Sequence, residues 1–224
     1  MSETASGDAV HPTASGDGEP IRDEPVTPHV TSSTVEFAGR VWDIRRESFA
    51  FGDGTIARDF VDHTGAVAVL ALDDDDRVLL IQQYRHPVRQ RDWELPAGLL
   101  DLEGEEPVVA AQRELAEEVD LVATDWAVLS DLLVSPGGSN EVIRIFLARG
   151  LAPTAEVFAR TEEEAEIALR WLSLDDAVEA VLNRRIQNSI LCVAVLAADA
   201  ARARNWRTLG PADAPWPQHP RTRR

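Results

Sequence analysis

Four carboxylates and one guanidinium fall within a short stretch of this 224-residue chain: Glu105, then seven residues, then Arg113-Glu114, with Glu117 and Glu118 one helical turn further on. The segment from Glu106 to Val119 is predicted to be an amphipathic helix. Val108, Ala111, Leu115 and Val119 recur at helical spacing, and Pro107 suits a first turn, where its missing N–H costs nothing. At about 100° per residue, Glu117 lies roughly 60° to one side of Glu114 and Glu118 roughly 40° to the other, so the three acids share a face. Burying the neighbouring apolar arc against a sheet would hold them rigidly along the edge of the core, as an exposed cluster. Like charges at i,i+4 destabilise a helix by a few tenths of a kcal/mol per pair, so such a cluster needs an offsetting charge. A hard divalent cation supplies one, and ligation by carboxylate and water suits Mg²⁺ or Mn²⁺. A solvated acidic face is the alternative that these three residues alone leave open.

The surroundings extend the pattern. Gly98, Glu105 and the run Arg113-Glu114-Leu115-Ala116-Glu117-Glu118-Val119-Asp120-Leu121 together resemble the Nudix box: a Gly, a spaced Glu, seven residues, then Arg-Glu-(apolar)-x-Glu-Glu-x-Gly-(apolar). There are two departures. Gly98 stands one residue further from Glu105 than is usual, an insertion in the Leu99–Gly104 loop that costs little loop entropy, and Asp120 replaces the closing Gly, a position where Asp tolerates left-handed geometry better than most residues. By this resemblance Glu114 and Glu118 are metal ligands, and Glu117 is a further ligand or an acid–base partner. Glu105 and Gly98 support the cluster, Arg113 orients its carboxylates, and the Ala97 carbonyl is an additional ligand. Two to three Mg²⁺ or Mn²⁺ ions per site are implied.

The resemblance narrows to the ADP-ribose pyrophosphatase branch of the Nudix superfamily. It rests on Gln83-Tyr84-Arg85-His86-Pro87, Trp93-Glu94-Leu95-Pro96-Ala97-Gly98 and Ser135-Pro136-Gly137-Gly138-Ser139-Asn140-Glu141, with Pro136 at the place a Pro takes beyond the box in that branch. It implies metal-dependent hydrolysis of the pyrophosphate bond of ADP-ribose to AMP and ribose 5-phosphate. Arg85, Glu94, Gly137, Ser139 and Glu141 become candidate substrate contacts, although a structural ion pair between Arg85 and Glu94 is an equal alternative. In the acidic patch Glu162–Glu166 a loop glutamate would position the attacking water or reach the metals; Glu163 and Glu164 are the candidates, Glu163 preferred. The implied fold is α+β, mixed β-sheets sandwiched between helices (α/β/α), with an N-terminal antiparallel β-subdomain swapped in a homodimer. Phe37 or Trp42 of that subdomain is placed to stack on adenine.

Four segments would position these groups. Residues 1–34, rich in Ser, Thr, Gly, Pro and acids, are expected to be a disordered tail. Residues 35–62 are expected to form antiparallel strands with a turn at Phe51-Gly52-Asp53-Gly54, and residues 63–205 the catalytic domain. The apolar run Ala66–Leu72, the charged turn Asp73–Asp76 and Val78–Ile81 are predicted to be a core hairpin, its aspartates a solvated tip rather than a calcium loop. Strands are expected near Ala127–Leu133, Val142–Ala148 and Ile167–Leu172. A helix capped by Ser173 or Asp175 should run through Leu182 and another should cover Asn188–Arg202, before a loosely held tail over residues 206–224.

Composition excludes several classes. The formal charge is −17, which repels nucleic acid, whereas an anionic small molecule remains compatible if carboxylates hold a cation. Every one of the 22 Lys and Arg residues is Arg, so no Schiff-base or P-loop lysine exists. The single cysteine, Cys192, lies in the apolar run Ile190–Leu196, where an inert thiol is expected. With no internal disulfide, no apolar run long enough to span a bilayer and a polar, acidic N-terminus, a cytoplasmic protein without membrane contacts is expected. Rival functions are another Nudix substrate (a nucleotide sugar, NADH or a damaged nucleoside triphosphate), an ADP-ribose sensor that does not hydrolyse, and an acidic scaffold without a ligand. The retained box carboxylates disfavour the last two.

Overall fold

A computed structural model describes residues 20–155 and 167–219 of the chain. Its first three strands, β1 (Val30–Phe37), β2 (Asp43–Phe51) and β3 (Gly54–Asp62), form an antiparallel meander. The β2–β3 turn has Gly52 at φ 58°, the left-handed geometry that a tight hairpin requires. Strand β1 begins at Val30, earlier than the expected Val35, because Val30 and Ser32 to Thr34 pair with β2, around an irregularity at Thr31, despite carrying few apolar groups. Thr31 Oγ1 donates to the Ser48 carbonyl and Ser33 Oγ to Glu47, each at 3.0 Å. The expected disordered tail is therefore too long at its C-terminal end; its residues 1–19 lie outside the described residues.

The chain continues as β4 (Ala66–Ala71), β5 (Arg77–Arg85), β6 (Gln90–Glu94), β7 (Ala97–Leu99), α1 (Pro107–Val119), β8 (Leu121–Leu133), β9 (Val142–Pro153), β10 (Ala168–Ser173), α2 (Leu174–Leu182), α3 (Ser189–Arg202) and β11 (Gly210–Pro211). A five-stranded mixed sheet has the order β11-β8-β9-β4-β7, with β4 parallel to β9, and a three-stranded sheet has the order β10-β5-β6. Strand β4 is apolar throughout because both its faces are covered. Ala68 and Leu70 face one core with Leu191, Ala194 and Ala198 of α3; Val67 and Val69 face the other with Ala111, Leu115 and Val119 of α1. Helices thus cover mixed sheets from both sides, the α/β/α sandwich expected. Each fully buried Leu, Val or Phe contributes about 1.5–3 kcal/mol to holding it.

Local signals set the helix ends as expected. Pro107 opens α1, the Ser173 hydroxyl accepts the Asp176 N–H at 3.1 Å to cap α2, and Asn188 Oδ1 accepts the Leu191 N–H at 3.0 Å to cap α3. Among the described residues, no helix is long and apolar enough to cross a membrane.

Two expectations need correction. Strands β4 and β5 do not form a core hairpin: beyond a single bridge between Leu72 and Val78 they belong to different sheets, since β9 and β7 occupy both edges of β4. The turn between them is a side-chain-capped tip, in which Asp73 Oδ1 accepts the N–H groups of Asp75 at 3.0 Å and Arg77 at 2.8 Å. Nor is the C-terminal segment loosely held. Strand β11 pairs with β8, and Trp216 is 7% exposed beneath the guanidinium of Arg144, 4.7 Å from its ring centroid. Arg144 is buried, forks onto Asp131 at 2.8 and 2.9 Å, and donates to the carbonyls of Ala214 at 2.6 Å and Pro215 at 3.2 Å. Residues 220–224 lie outside the described residues.

Trp216→Ala should therefore lower the free energy of unfolding by about 3–5 kcal/mol, as for other buried aromatics. Urea denaturation measures it, and a loss below about 1 kcal/mol would contradict the docking of this segment.

Candidate active site

Helix α1 carries the acids, and the sheet decides how they sit. Leu115 and Val119 are buried under β4, which turns Glu114 and Glu118 toward β7. In β7, Gly98 pairs with Val67 and Ala97 with Ala68, fixing the strand's height against the helix. The Ala97 N–H donates to Glu118 Oε2 at 2.9 Å. Gly98 lies so close to the helix that a Cβ there would collide with the Glu114 carboxylate, which gives the residue a steric reason to be glycine.

Arg113 binds the cluster together. Its Nε and Nη2 fork onto the two oxygens of Glu105 at 2.9 and 3.0 Å, while Nη1 donates to Glu114 at 2.6 Å and Glu117 at 3.2 Å. The Glu105 hydrogen bonds first, and then the charge of Glu114, drive the Arg113 pKa up. Burial pushes Glu114 up, against the lowering influence of Arg113. The cluster is less exposed than expected, since Glu118 is 9% exposed and the Glu114 side chain 13%. The helix ends on Asp120 at φ 56°, ψ 37°, so Asp adopts the left-handed position usually given to the closing glycine.

Glu114, Glu117 and Glu118 are hard oxygen donors on one helix face, with the Ala97 backbone opposite and a glycine where a side chain would fill the space; that chemistry fits a divalent cation such as Mg²⁺. Among the described residues, no three acid, imidazole or thiol groups converge at ion-holding distance, because Arg113 draws Glu114 and Glu117 and the Ala97 N–H draws Glu118.

Arg85 and Glu94 meet across β5 and β6 in a two-pronged ion pair of 2.8 and 2.7 Å, and Gln83 adds a hydrogen bond to Glu94 at 3.2 Å. Glu94 is buried, whereas Arg85 keeps 45% of its side chain exposed. Of the two alternatives for this pair, the ion pair is the arrangement present. Gly137, Ser139 and Glu141 come together elsewhere, lining a cavity of about 400 Å³ with Pro136 and Asn140 of the same loop and Arg58, Asp59 and Phe60 of β3. No α1 carboxylate lines it. No local signal marks the three β3 residues, because the strand meets this loop through long-range contacts such as the Val61–Ser139 bridge and the Asn140–Asp62 hydrogen bond.

Glu163 and Glu164 lie outside the described residues. Trp42 stacks on His63, with ring centroids 5.3 Å apart, and Phe37 is exposed. Cys192 is half-buried, with its Sγ 3.6 Å from the Ile186 carbonyl, and burial raises its thiol pKa, consistent with an inert role. Gly98→Ala must displace the Glu114 carboxylate. Mn²⁺ affinity, read by electron paramagnetic resonance, should fall about tenfold or more with the circular dichroism spectrum retained; unchanged affinity would remove Glu114 from the ion site.

Known proteins are similar to this chain over most of its length. The NUDIX domain model matches residues 62–191. An ADP-ribose pyrophosphatase of Mycobacterium tuberculosis is 40% identical over 190 residues, covering 84% of this chain and 91% of that protein. A methanol dehydrogenase activator of Bacillus methanolicus is 35% identical over 160 residues, 71% of this chain and 85% of its own. A crystal structure of an ADP compounds hydrolase superposes with a TM-score of 0.67 at 20% identity, over 83% of this chain and 100% of that one, and so shares the fold. Nudix hydrolases in general require divalent cations such as Mg²⁺. With Arg113 holding Glu105, Glu114 and Glu117, the Ala97 N–H holding Glu118, and the domain match running from β3 into α3, this chain belongs to the Nudix hydrolase family.

Proposed function

We propose that this protein hydrolyses the pyrophosphate bond of ADP-ribose to AMP and ribose 5-phosphate with Mg²⁺ or Mn²⁺, two to three ions per site. The observation that carries the reading is the cluster in which one arginine gathers Glu105, Glu114 and Glu117 while the Ala97 N–H holds Glu118 beside them. The choice of ADP-ribose is supported by the 40% identity that spans nearly all of the mycobacterial ADP-ribose pyrophosphatase.

Glu114, Glu118 and the Ala97 carbonyl would hold the ions, with Glu117 and Glu163 as further ligands. Bound divalent cations neutralise the diphosphate and polarise phosphorus. A bound ion would draw Glu114 away from Arg113, which would stay anchored by its two bonds to Glu105. Glu163 or Glu164 orients the attacking water and takes its proton. Gly137, Ser139 and Glu141 hold ribosyl hydroxyls in the cavity, which has space for such a group. Arg85, half-exposed although paired with Glu94, faces phosphate.

The protein acts in the cytoplasm as a homodimer with a swapped N-terminal sheet, without nucleic acid or membrane partners. All eight residues of β1 are exposed, as are Trp42 and Phe51, and a second chain would cover this otherwise uncovered sheet and bring Phe37 or Trp42 toward adenine.

AMP release from ADP-ribose should be fast and abolished by EDTA, and UDP-glucose, NADH and 8-oxo-dGTP should be poor substrates; equal turnover of one of those would reassign the substrate. Glu114→Gln and Glu118→Gln should each lower kcat about 10²-fold or more with the circular dichroism spectrum retained. Intact activity in either would overturn the ligand assignment. Glu163→Gln compared with Glu164→Gln identifies the water-positioning residue as the one whose loss lowers kcat without raising KM. Sedimentation equilibrium should give twice the chain mass; a monomer at micromolar concentration would rule the dimer out.

A further inference from the structure

Directly after β3 the chain buries an imidazole. His63 is 5% exposed, stacked on Trp42 with ring planes 27° apart. Its Nδ1 accepts the Gly65 N–H at 3.0 Å, so the neutral ring must carry its proton on Nε2. That Nε2 stands 3.5 Å from Oε1 of Glu141, close enough for a slight swing of the carboxylate to complete a hydrogen bond. Burial pushes the His63 pKa down and the Glu141 pKa up. The imidazole is thus kept as a neutral donor.

The backbone around this pair is tied across 77 residues of sequence. The Val61 N–H donates to the Gly138 carbonyl at 3.0 Å, and the Asn140 N–H returns to the Val61 carbonyl at 3.3 Å. Asn140 Oδ1 accepts the His63 N–H at 2.7 Å, and its Nδ2 donates to Asp62 at 2.8 Å. Asp62 in turn holds Arg45 of β2 at 2.7 Å. The loop carrying Gly137, Ser139 and Glu141 is thereby fastened to the N-terminal sheet, and Glu141 is presented to the cavity.

We propose that His63 is a positioning residue for Glu141: its Nε2–H holds one carboxylate oxygen so that the other faces the cavity and accepts hydrogen bonds from hydroxyls of the bound ribosyl diphosphate. A neutral donor suits this task. An arginine would neutralise the carboxylate and occupy both oxygens, whereas an imidazole N–H takes one and leaves the lone pairs of the other for the ligand. The identity of the ligand rests on the ADP-ribose reading; the His63–Glu141 link does not.

The test uses the full chain and three substitutions. His63→Leu removes the donor, His63→Gln places an amide N–H near the position of Nε2, and Glu141→Gln removes the acceptor charge. KM for ADP-ribose should rise roughly tenfold in His63→Leu with a smaller fall in kcat, and His63→Gln should recover most of it. His63→Leu should add nothing further in a Glu141→Gln background. Equal defects in the Leu and Gln variants, or additive effects with Glu141→Gln, would overturn the proposal. A second readout needs no turnover. Among the five histidines, the ¹⁵N ring signals of His63 are identified by their loss in His63→Gln. They should report the Nε2-protonated form, with an Nε2 resonance that moves in Glu141→Gln. An Nδ1-protonated ring or an unmoved resonance would refute the link, even if ADP-ribose proved not to be the substrate, which the wild-type assay decides separately.

Discussion

The guanidinium of Arg113 holds carboxylates that repel one another. Glu114, Glu117 and Glu118 crowd one helix face of a chain with a formal charge of −17, and Glu105 adds a fourth acid from the loop before it. Like-charge repulsion along a helix costs a few tenths of a kcal/mol per pair, whereas a hydrogen bond to a charged group contributes about 1.5–3 kcal/mol, so the arginine outweighs the repulsion it sits among. Fork geometry matters as much as charge. One edge of the guanidinium grips Glu105 and the remaining nitrogen spans Glu114 and Glu117, an arrangement that a point-like ammonium would not reproduce. The same residue therefore pins the loop that precedes α1 and sets the resting direction of Glu114 and Glu117 upon it.

That network works only at one register of the sheet below it. The pairing of Val67 with Gly98 puts a residue without a side chain beneath Glu114, and the adjacent pairing of Ala68 with Ala97 aims an N–H at Glu118. A slip of one residue in β7 would reverse both faces and bring a methyl or isobutyl group against the carboxylates. Strand β4 supplies that register because it is locked on both edges, parallel to β9 and antiparallel to β7. The geometry of the acids is thus inherited from a strand that contributes no polar side chain to them.

The parts of this arrangement that are written locally were legible in the sequence. Helix α1, its proline start and its acid face follow from 3.6-residue periodicity, and Asp120 took up the left-handed geometry that the pattern demanded. What depends on distant partners was not. Arg144 and Trp216 meet only after the sheet is built, so a proline-rich terminus read as loose. Arg58, Asp59 and Phe60 reach their cavity through a bridge between Val61 and Ser139, which no local signal announces. Strand β1 was underestimated for another reason: hydroxyl side chains paired on an exposed sheet carry little of the hydrophobic alternation by which strands are recognised. The sequence leaves the ion pair of Arg85 and Glu94 as one of two alternatives; the β5–β6 register sets Arg85 opposite Gln90 and Glu94 opposite Ile81, so the pair forms only because the long arginine side chain reaches along the ribbon.

The parallel union of β4 with β9 also governs how the chain is made. Ala66 lies opposite Ile143, so the most apolar strand of the protein must wait for much of the sequence to be synthesised before its partner exists. During that interval an uninterrupted apolar segment is open to other nascent chains. Four consecutive aspartates, Asp73 to Asp76, stand at its end, and their charge opposes self-association at the moment of greatest risk. In the finished fold the tip they form is peripheral to the acid-bearing helix; in the unfinished one its charge works against aggregation.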